Sequence, residues 1–533
     1  MNKSFFLKNY FLNGLLLLPA FLFGQNNKPG NVKKPNILFC IADDASRESM
    51  SAYGFNYAWV HTPAFDRVAK EGVLFTNAYT PNAKCAPSRS CILTGRNSWQ
   101  LEAAGNHNSI FPAKFTTFME ALENNGYQVG YTGKGWAPGD PGEVNGKLRM
   151  LTGPAYSSIK MTTPTQQMSP INYSANLEAF LQKKPKDQPF CFWYGGHEPH
   201  RQYEFGSGVS KGKKKISDIK TVPPYWIDNE TVRNDMLDYA YEVEYFDSHL
   251  GKMLDILEKN GELDNTIIVV TSDNSMPFPR VKGHVYEMDN HLPLAIMWKN
   301  GIKNPGRKVG DFVSFIDYAP TFLELAEVKP QSANMQPIQG RSLLNLLTAT
   351  NKGLVDTKRD HVLLGRERED VGRPHDEGYP VRAIIKNNFF YARNYEPDRW
   401  PSGNPETGYL DTDGSPTKTA ILEAHRKGEH MNLWQICFGK KGSEELYDIS
   451  KDPYCMNNLA NNKSFEKIKN NLKTQMEQEL KSQQDPRMFG KGNIFDQYPY
   501  GEPRMANFYE RFMKGEKITT GWVNNSDYEK VNK

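Results

Sequence analysis

Six apolar residues in a row follow Asn36 in the segment Asn36–Ala42 (NILFCIA), and Thr266–Val270 (TIIVV) is wholly β-branched. A strand with one face in water alternates polar and apolar side chains. A strand that is apolar at nearly every position must be covered on both faces, as in parallel sheets with helices above and below. Pro189–Tyr194 (PFCFWY) has the same character, Val129–Tyr131 is a shorter candidate, and Leu292–Trp298 is expected to be the next strand. Between these runs the apolar period changes to three and four. Pro63–Glu71 and Thr116–Asn125 read as helices, the second closed by Gly126. Glu230–Asn260 reads as a long helix, with Met236, Tyr239, Val243, Phe246, Leu250, Leu254 and Leu257 on one face and Gly261 at its end. This alternation predicts an α/β fold with a mainly parallel central sheet flanked by helices.

Composition narrows the function classes. The chain has 533 residues, 38% hydrophobic and 24% charged, with 42 Gly and 34 Pro, which excludes wholesale disorder, collagen and coiled coil. Lys and Arg total 65 against 61 Asp and Glu, a formal net charge of +4 with no long block of one sign, so no nucleic-acid partner is expected. Six cysteines are too few for a disulfide scaffold. Lys3 and Lys8 precede an apolar run from Phe11 to Phe23, and Leu22 and Gly24 stand before Gln25, which reads as a cleaved signal peptide over 1–24. The alternative is an N-terminal membrane anchor, for which the run is short. A flexible lead-in over 25–34, no stable membrane insertion and a periplasmic or secreted mature protein are therefore expected. The main domain is expected over 35–350. Beyond it Asp360–Tyr379 is charged and loop-like, Val381–Asn394 alternates as a strand or hairpin around Asn387-Asn388, Glu444–Tyr447 is a short strand and Lys463–Ser482 an amphipathic helix. These make a smaller C-terminal α+β domain over 355–490, followed by a tail over 491–533.

Ligands of open α/β sheets bind beyond the carboxyl ends of the strands. The first strand runs into Asp43-Asp44, the Val129 strand into Gly133-Lys134-Gly135, the Phe190 strand into His197-Glu198-Pro199-His200-Arg201, and the Thr266 strand into Ser272-Asp273-Asn274. Taken alone, Asp43-Asp44 is a turn or helix cap, and Lys134 a solvated loop lysine. Together, two oxygen-rich strand ends suit a hard divalent cation such as Ca²⁺ or Mg²⁺.

One further string is far more specific. Cys85-Ala86-Pro87-Ser88-Arg89, continuing to Thr94-Gly95-Arg96, resembles the signature of the type I sulfatases, within the alkaline-phosphatase-like superfamily. The segments ending in Asp43-Asp44 and starting at Ser272-Asp273-Asn274 resemble that family's metal segments. Glu445-Leu446-Tyr447-Asp448 with Asp452-Pro453 and Asn458-Leu459-Ala460 resembles its C-terminal signature. His197-x-Pro199-His200-Arg201 and Asp273-Asn274-x-x-Pro277-Phe278-Pro279 are most similar to sulfamidases (N-sulfoglucosamine sulfohydrolases) and their bacterial polysaccharide-acting relatives.

The resemblance implies a sulfuric ester hydrolase in which Cys85 is oxidised to Cα-formylglycine by a formylglycine-generating or anaerobic sulfatase-maturating enzyme. It implies a metal, Ca²⁺ or alternatively Mg²⁺, held by Asp43, Asp44, Asp273, Asn274 and the modified Cys85. Arg89 would stabilise the hydrated aldehyde, Lys134 and Lys282 would clamp the sulfate, and His197 would protonate the leaving group. Two departures stand out. Trp136 occupies the place where many relatives have a histidine that contacts the aldehyde hydrate, so His107 and His200 become candidate bases. Arg280 competes with Lys282 for the role of sulfate-binding cation. Arg201, Arg373, His375 and Arg399 are expected in rim loops, where arginine suits uronate or sulfate groups, and Trp136 and Trp400 as sugar-stacking or packing rings. The expected substrate is a sulfated glycan, such as ulvan, or the N-sulfate of heparan sulfate. Phosphonate or phosphate monoester hydrolysis and an inactive glycan-binding protein are the rival readings.

Overall fold

A computed structural model of the chain describes residues 33–55 and 59–530. The expected signal peptide and most of the lead-in lie outside the described residues. The central sheet is built from β1 (Asn36–Ala42), β2 (Val73–Phe75), β3 (Gln128–Gly133), β4 (Phe190–Gly195), β5 (Thr266–Ser272), β6 (Leu294–Met297) and β7 (Arg307–Val309). Its order is β7-β2-β6-β5-β1-β4-β3. All pairings are parallel except those of β6, which runs against both β5 and β2.

The apolar runs behave as two-faced strands. In β1, Leu38, Cys40 and Ala42 enter one core and Ile37, Phe39 and Ile41 the other. In β5, Ile268 and Val270 join the first core, and Ile267 and Val269 the second. Among the flanking helices are α1 (Pro63–Glu71), α2 (Cys85–Thr94) and α3 (Glu230–Lys259). Asn229 caps α3 by accepting a bond from the Val232 N–H, and all seven apolar residues expected on its inner face are buried in the first core.

A second sheet, β8 (His361–Arg366), β9 (Val381–Lys386), β10 (Phe389–Asn394) and β11 (Glu444–Asp448), is antiparallel in sequential order. Asn387 and Asn388 both adopt positive φ between β9 and β10, as a two-residue hairpin turn demands. Helix α4 (Glu466–Ser482) packs Leu472, Met476 and Leu480 against Ile384, Tyr391 and Leu446 of that sheet. Strand β8 corrects the expectation of a charged loop over Asp360–Tyr379 for its first third, while the chain beyond Arg366 is mostly irregular as expected but largely buried. The charges there are interior: Arg366 pairs with Asp411, and Arg382 with Glu367 and Asp485, all buried. From Lys34 onward the chain forms one compact unit. All six cysteines are buried free thiols. No helix among the described residues is long and apolar enough to cross a membrane.

Candidate active site

Strands β5, β1, β4 and β3 lie side by side, so their carboxyl ends bring Asp273-Asn274, Asp43-Asp44, His197 and Lys134 to one rim. The turn after β3 depends on glycine. Gly133 has φ +77°, and a Cβ there would lie 2.0 Å from the Gly195 carbonyl oxygen. That close approach of two neighbouring strand ends lets the Lys134 N–H donate to the same carbonyl at 2.8 Å.

Helix α2 begins at Cys85 and supplies the opposite wall. Its preceding residue, Lys84, is extended and makes no side-chain cap, Pro87 is tolerated in the first turn, and Gly95 (φ +68°) closes the helix by donating to the Cys91 carbonyl. The Cys85 Sγ lies 3.5 Å from Asp43 Oδ1 and 4.0 Å from Asn274 Oδ1. One turn on, Arg89 is fully buried. Its Nε donates to Asp273 Oδ2 at 2.8 Å, and Nη1 donates to the carbonyls of Lys134 and Gly135 at 2.9 and 2.8 Å. Lys134 Nζ sits 2.8 and 2.6 Å from the two oxygens of Asp43, and Lys282 Nζ bridges Asp44 (2.7 Å) and Asp413 (2.8 Å).

These contacts set the charges. Burial would raise the Asp43 pKa, but Lys134, His200 and Arg89 outweigh it and hold Asp43 well below the usual carboxylate range. Asp413 is likewise held low against its burial by Lys282, His200 and Lys84. Asp44 is pushed up to about 7 by burial, which Lys282 only partly offsets while Asp43 and Asp413 add to it. Burial also lifts Asp273 to about 6, despite Arg89. One ammonium is thus divided between two carboxylates, and Asp44 is left short of positive charge. Single oxygens of Asp43, Asp44 and Asp273 and the Cys85 sulfur lie within 4.8 Å of one another. Such an under-compensated oxygen set fits a hard divalent cation.

The groups line a cavity of about 590 Å³, with Asp43, Cys85, Lys134, His197, His200 and Lys282 in its wall. His197 stands exposed at the mouth, yet the protein crowded around its ring pushes its pKa down to about 4, against the pull of Asp43. His200 Nδ1 lies 2.7 Å from the Arg201 carbonyl, so as the donor there it leaves Nε2 free to accept, 3.9 Å from Asp44. His107 also lines the cavity, its Nδ1 bound by the Glu369 carbonyl and Asp370.

Several expectations change. Arg201 touches the cavity, but its guanidinium is committed to Asp235 at 2.7 and 2.9 Å and to the Pro277 carbonyl, so it braces the wall. Arg373 lies in the interior, bonded to Asp411 and the Trp400 and Pro401 carbonyls, because the expected loop is core. His375 is 79% exposed beside Glu510 and does not line the cavity. Arg280 is spent on the Cys455 and Ile436 carbonyls and does not line the cavity, whereas Lys282 does. Trp136 points away, donating to Ser90 and packing against Phe111. Arg399 pairs with Glu377 and Asp496, and Trp400 packs near Trp434, so neither faces the cavity. Sequence reasoning missed Asp413, Lys84, Asp370, Tyr500 and Trp522, which line the cavity from segments with no periodic pattern.

A sequence profile of the Sulfatase family matches residues 35–328. The chain is 29% identical over 465 residues to an ulvan-active sulfatase of Formosa agariphila, covering 85% of this chain and 81% of that one. It is 27% identical over 482 residues to human N-sulphoglucosamine sulphohydrolase, covering 83% and 89%. Among solved structures, BT4656 in complex with D-glucosamine-2-N,6-O-disulfate superimposes with a TM-score of 0.60 at 22% identity, over 85% of this chain and 99% of that one. With the profile spanning more than half of its length, the chain belongs to the sulfatase family of sulfuric ester hydrolases.

Proposed function

We propose that the protein removes sulfate groups from a sulfated polysaccharide or its oligosaccharides, with ulvan as the first candidate. The observation that carries this is one cavity whose wall brings Cys85, at the start of α2, together with Asp43, Lys134, Lys282, His197 and His200, while oxygens of Asp44 and Asp273 lie within 4.8 Å of the Cys85 sulfur and Asn274 Oδ1 lies 4.0 Å from it. Ulvan is favoured by two ulvan-active sulfatases of Formosa agariphila, at 29% and 27% identity. The human relative favours a second reading, hydrolysis of the N-sulfate of glucosamine in heparan sulfate fragments.

Asp43, Asp44, Asp273 and Asn274 would hold the divalent cation, Ca²⁺ first and Mg²⁺ as alternative, and the bound cation would neutralise sulfate oxygens and acidify a nearby hydroxyl. Cys85, oxidised to formylglycine by a maturating enzyme, would offer hydrated-aldehyde hydroxyls as nucleophile in place of a thiol. Arg89, locked by four acceptors, would fix the orientation of that group. Lys134 and Lys282 would draw the sulfate in and stabilise its charge as the S–O bond breaks. His197 at the mouth would donate a proton to the leaving oxygen or nitrogen. Burial lowers its pKa, and a sulfate anion bound beside it would favour the protonated ring. His200, with Nε2 free to accept, is better placed than His107 to take a proton from the nucleophile, since its nitrogen lies within 4.8 Å of the Cys85 sulfur. Export into the periplasm or the medium fits the polymeric substrate.

The test is sulfate release from ulvan oligosaccharides, heparin disaccharides and carrageenan oligosaccharides by protein co-produced with its maturating enzyme, beside Cys85→Ala. Release from one glycan, absent in Cys85→Ala, is expected. Equal release by the variant, or none with Cys85 shown by mass to be oxidised, would overturn the proposal.

A further inference from the structure

Helix α3 carries acidic residues at helical spacing on its buried face: Asp235, Asp238 and Glu242. Two have structural partners for their oxygens. Asp235 binds the Arg201 guanidinium through both oxygens and accepts from the Thr417 hydroxyl at 2.6 Å. Asp238 accepts from the N–H groups of Gly206 and Gly208 at 2.8 and 2.7 Å. Glu242 differs. It is 1% exposed, its Oε1 has no hydrogen-bond partner, and it lines the same cavity as Cys85 and His197.

No protein group among the described residues bonds that oxygen. The adjacent acid, Glu198, is itself engaged by the Ser169 N–H (2.7 Å) and the Tyr173 hydroxyl (2.8 Å). Burial, then the charges of Glu198 and Asp238, push the Glu242 carboxyl up to about 9, so it is a neutral acid at pH 7, able both to donate and to accept. His249, two turns further along, is also without a hydrogen-bond partner. It is closed off between the rings of Tyr173 and Tyr245 and does not line the cavity. A sealed polar group without a partner is destabilising, and its persistence in a ligand cavity indicates that the ligand completes it.

We propose that Glu242 is a specificity-determining residue whose carboxyl pairs with a hydroxyl of the sugar that bears the departing sulfate. The inference rests on the reading of the cavity as a glycan sulfatase site. A sugar hydroxyl is the complement of a neutral carboxyl, since each offers one donor and can also accept.

The experiment compares wild type, Glu242→Met and Glu242→Gln by thermal unfolding and by steady-state kinetics. The probes are 4-nitrophenyl sulfate, which has no sugar hydroxyl, and whichever of the ulvan, heparin and carrageenan fragments releases sulfate. Glu242→Met is expected to unfold above the wild-type Tm, because it replaces an unsatisfied acid by an apolar side chain of similar size. The ratio of kcat/KM for the glycan to that for 4-nitrophenyl sulfate should fall about tenfold or more, chiefly through KM. Glu242→Gln, which retains a donor and an acceptor, should recover most of that ratio. A Tm below wild type in Glu242→Met would assign the residue a structural job and overturn the proposal, as would an unchanged ratio. A wild-type protein that leaves every probe intact would instead bring down the sulfatase reading beneath it.

Discussion

Asp44 is a buried carboxylate with too little positive charge around it. It is fully buried, holds a positive φ of 76°, and shares its ammonium partner with Asp413. Burial, with Asp43 and Asp413 nearby, raises its pKa to about 7, above its unfolded value of 3.8. The folded state therefore resists ionising Asp44, and without a divalent cation this group subtracts stability as pH rises from about 4 to 7. In EDTA, Asp44→Asn should unfold at a higher temperature than wild type at pH 8, with the gap shrinking toward pH 5. Ca²⁺ should reverse the order, since a cation bound only to the folded state adds about 2.7 kcal/mol at a hundredfold excess over Kd. Calorimetry in EDTA and in Ca²⁺ checks this, and equal Ca²⁺ stabilisation of both proteins would refute it. Arg89 presents the opposite case. Arg89→Met strips the buried Asp273 of its 2.8 Å partner, and breaking a buried pair from one side costs about 3–5 kcal/mol. Urea unfolding should show that loss, and a loss below about 1 kcal/mol would mean that Lys134 takes over the neutralisation.

Four strand ends were legible because two rules met in them: an apolar run marks a covered strand, and polar residues just past it fall on the ligand rim. Asn36–Ala42 matched to the residue, and the ends at Lys134, His197 and Asp273 followed from runs no more than two residues out at either boundary. Strands β2 and β7 were not legible, since three residues carry no period. Strand β8 was hidden by the charges that follow it, which signal solvent in a sequence and turn out to be a buried ion-pair network. Asp413 was invisible for a related reason: its segment, Asp411-Thr412-Asp413-Gly414, looks like a surface turn, and only Lys282 gives it a role. The outer sheet offers an element-scale test. His361 at the start of β8 lies 2.9 Å from Glu479 of α4 and 2.6 Å from Asp360. Burial would lower its pKa, but Glu479 and Asp360 outweigh it and raise the value above 6.5. A raised histidine contributes stability that is complete below its unfolded pKa and lost as pH climbs through the folded one. His361→Gln should therefore lower Tm at pH 5.5 and leave it nearly unchanged at pH 8.5. A Tm deficit of the same size at both pH values would show that the contact is packing rather than charge.

At the scale of the whole molecule, the cavity is finished by chain that is remote in sequence from the strand ends. Tyr500, Glu502 and Trp522 line it from the C-terminal segment. Tyr500 donates to Asp370 at 3.2 Å, Arg368 holds the Tyr498 and Pro499 carbonyls, and the Trp522 indole donates to the Leu410 carbonyl at 2.9 Å. Phe508, Met505 and Tyr500 are at most 8% exposed and form a small core with Val371 and Leu410. The segment is therefore anchored as a wall. Each large side chain removed from such a core forfeits about 1.5–3 kcal/mol of burial, so a chain ending at Gly490 should be destabilised by at least several kcal/mol. Substrate choice should suffer more than chemistry, because Cys85, Arg89 and the carboxylates sit on the sheet and on α2, which this segment does not build. The shortened protein, assayed below its lowered Tm, should keep measurable turnover of 4-nitrophenyl sulfate while its kcat/KM on the glycan drops by about tenfold or more. If glycan and 4-nitrophenyl sulfate lose activity in equal proportion, the segment supports the catalytic floor of the cavity instead of the sugar, and recognition of the glycan must be sought along β4 and α3.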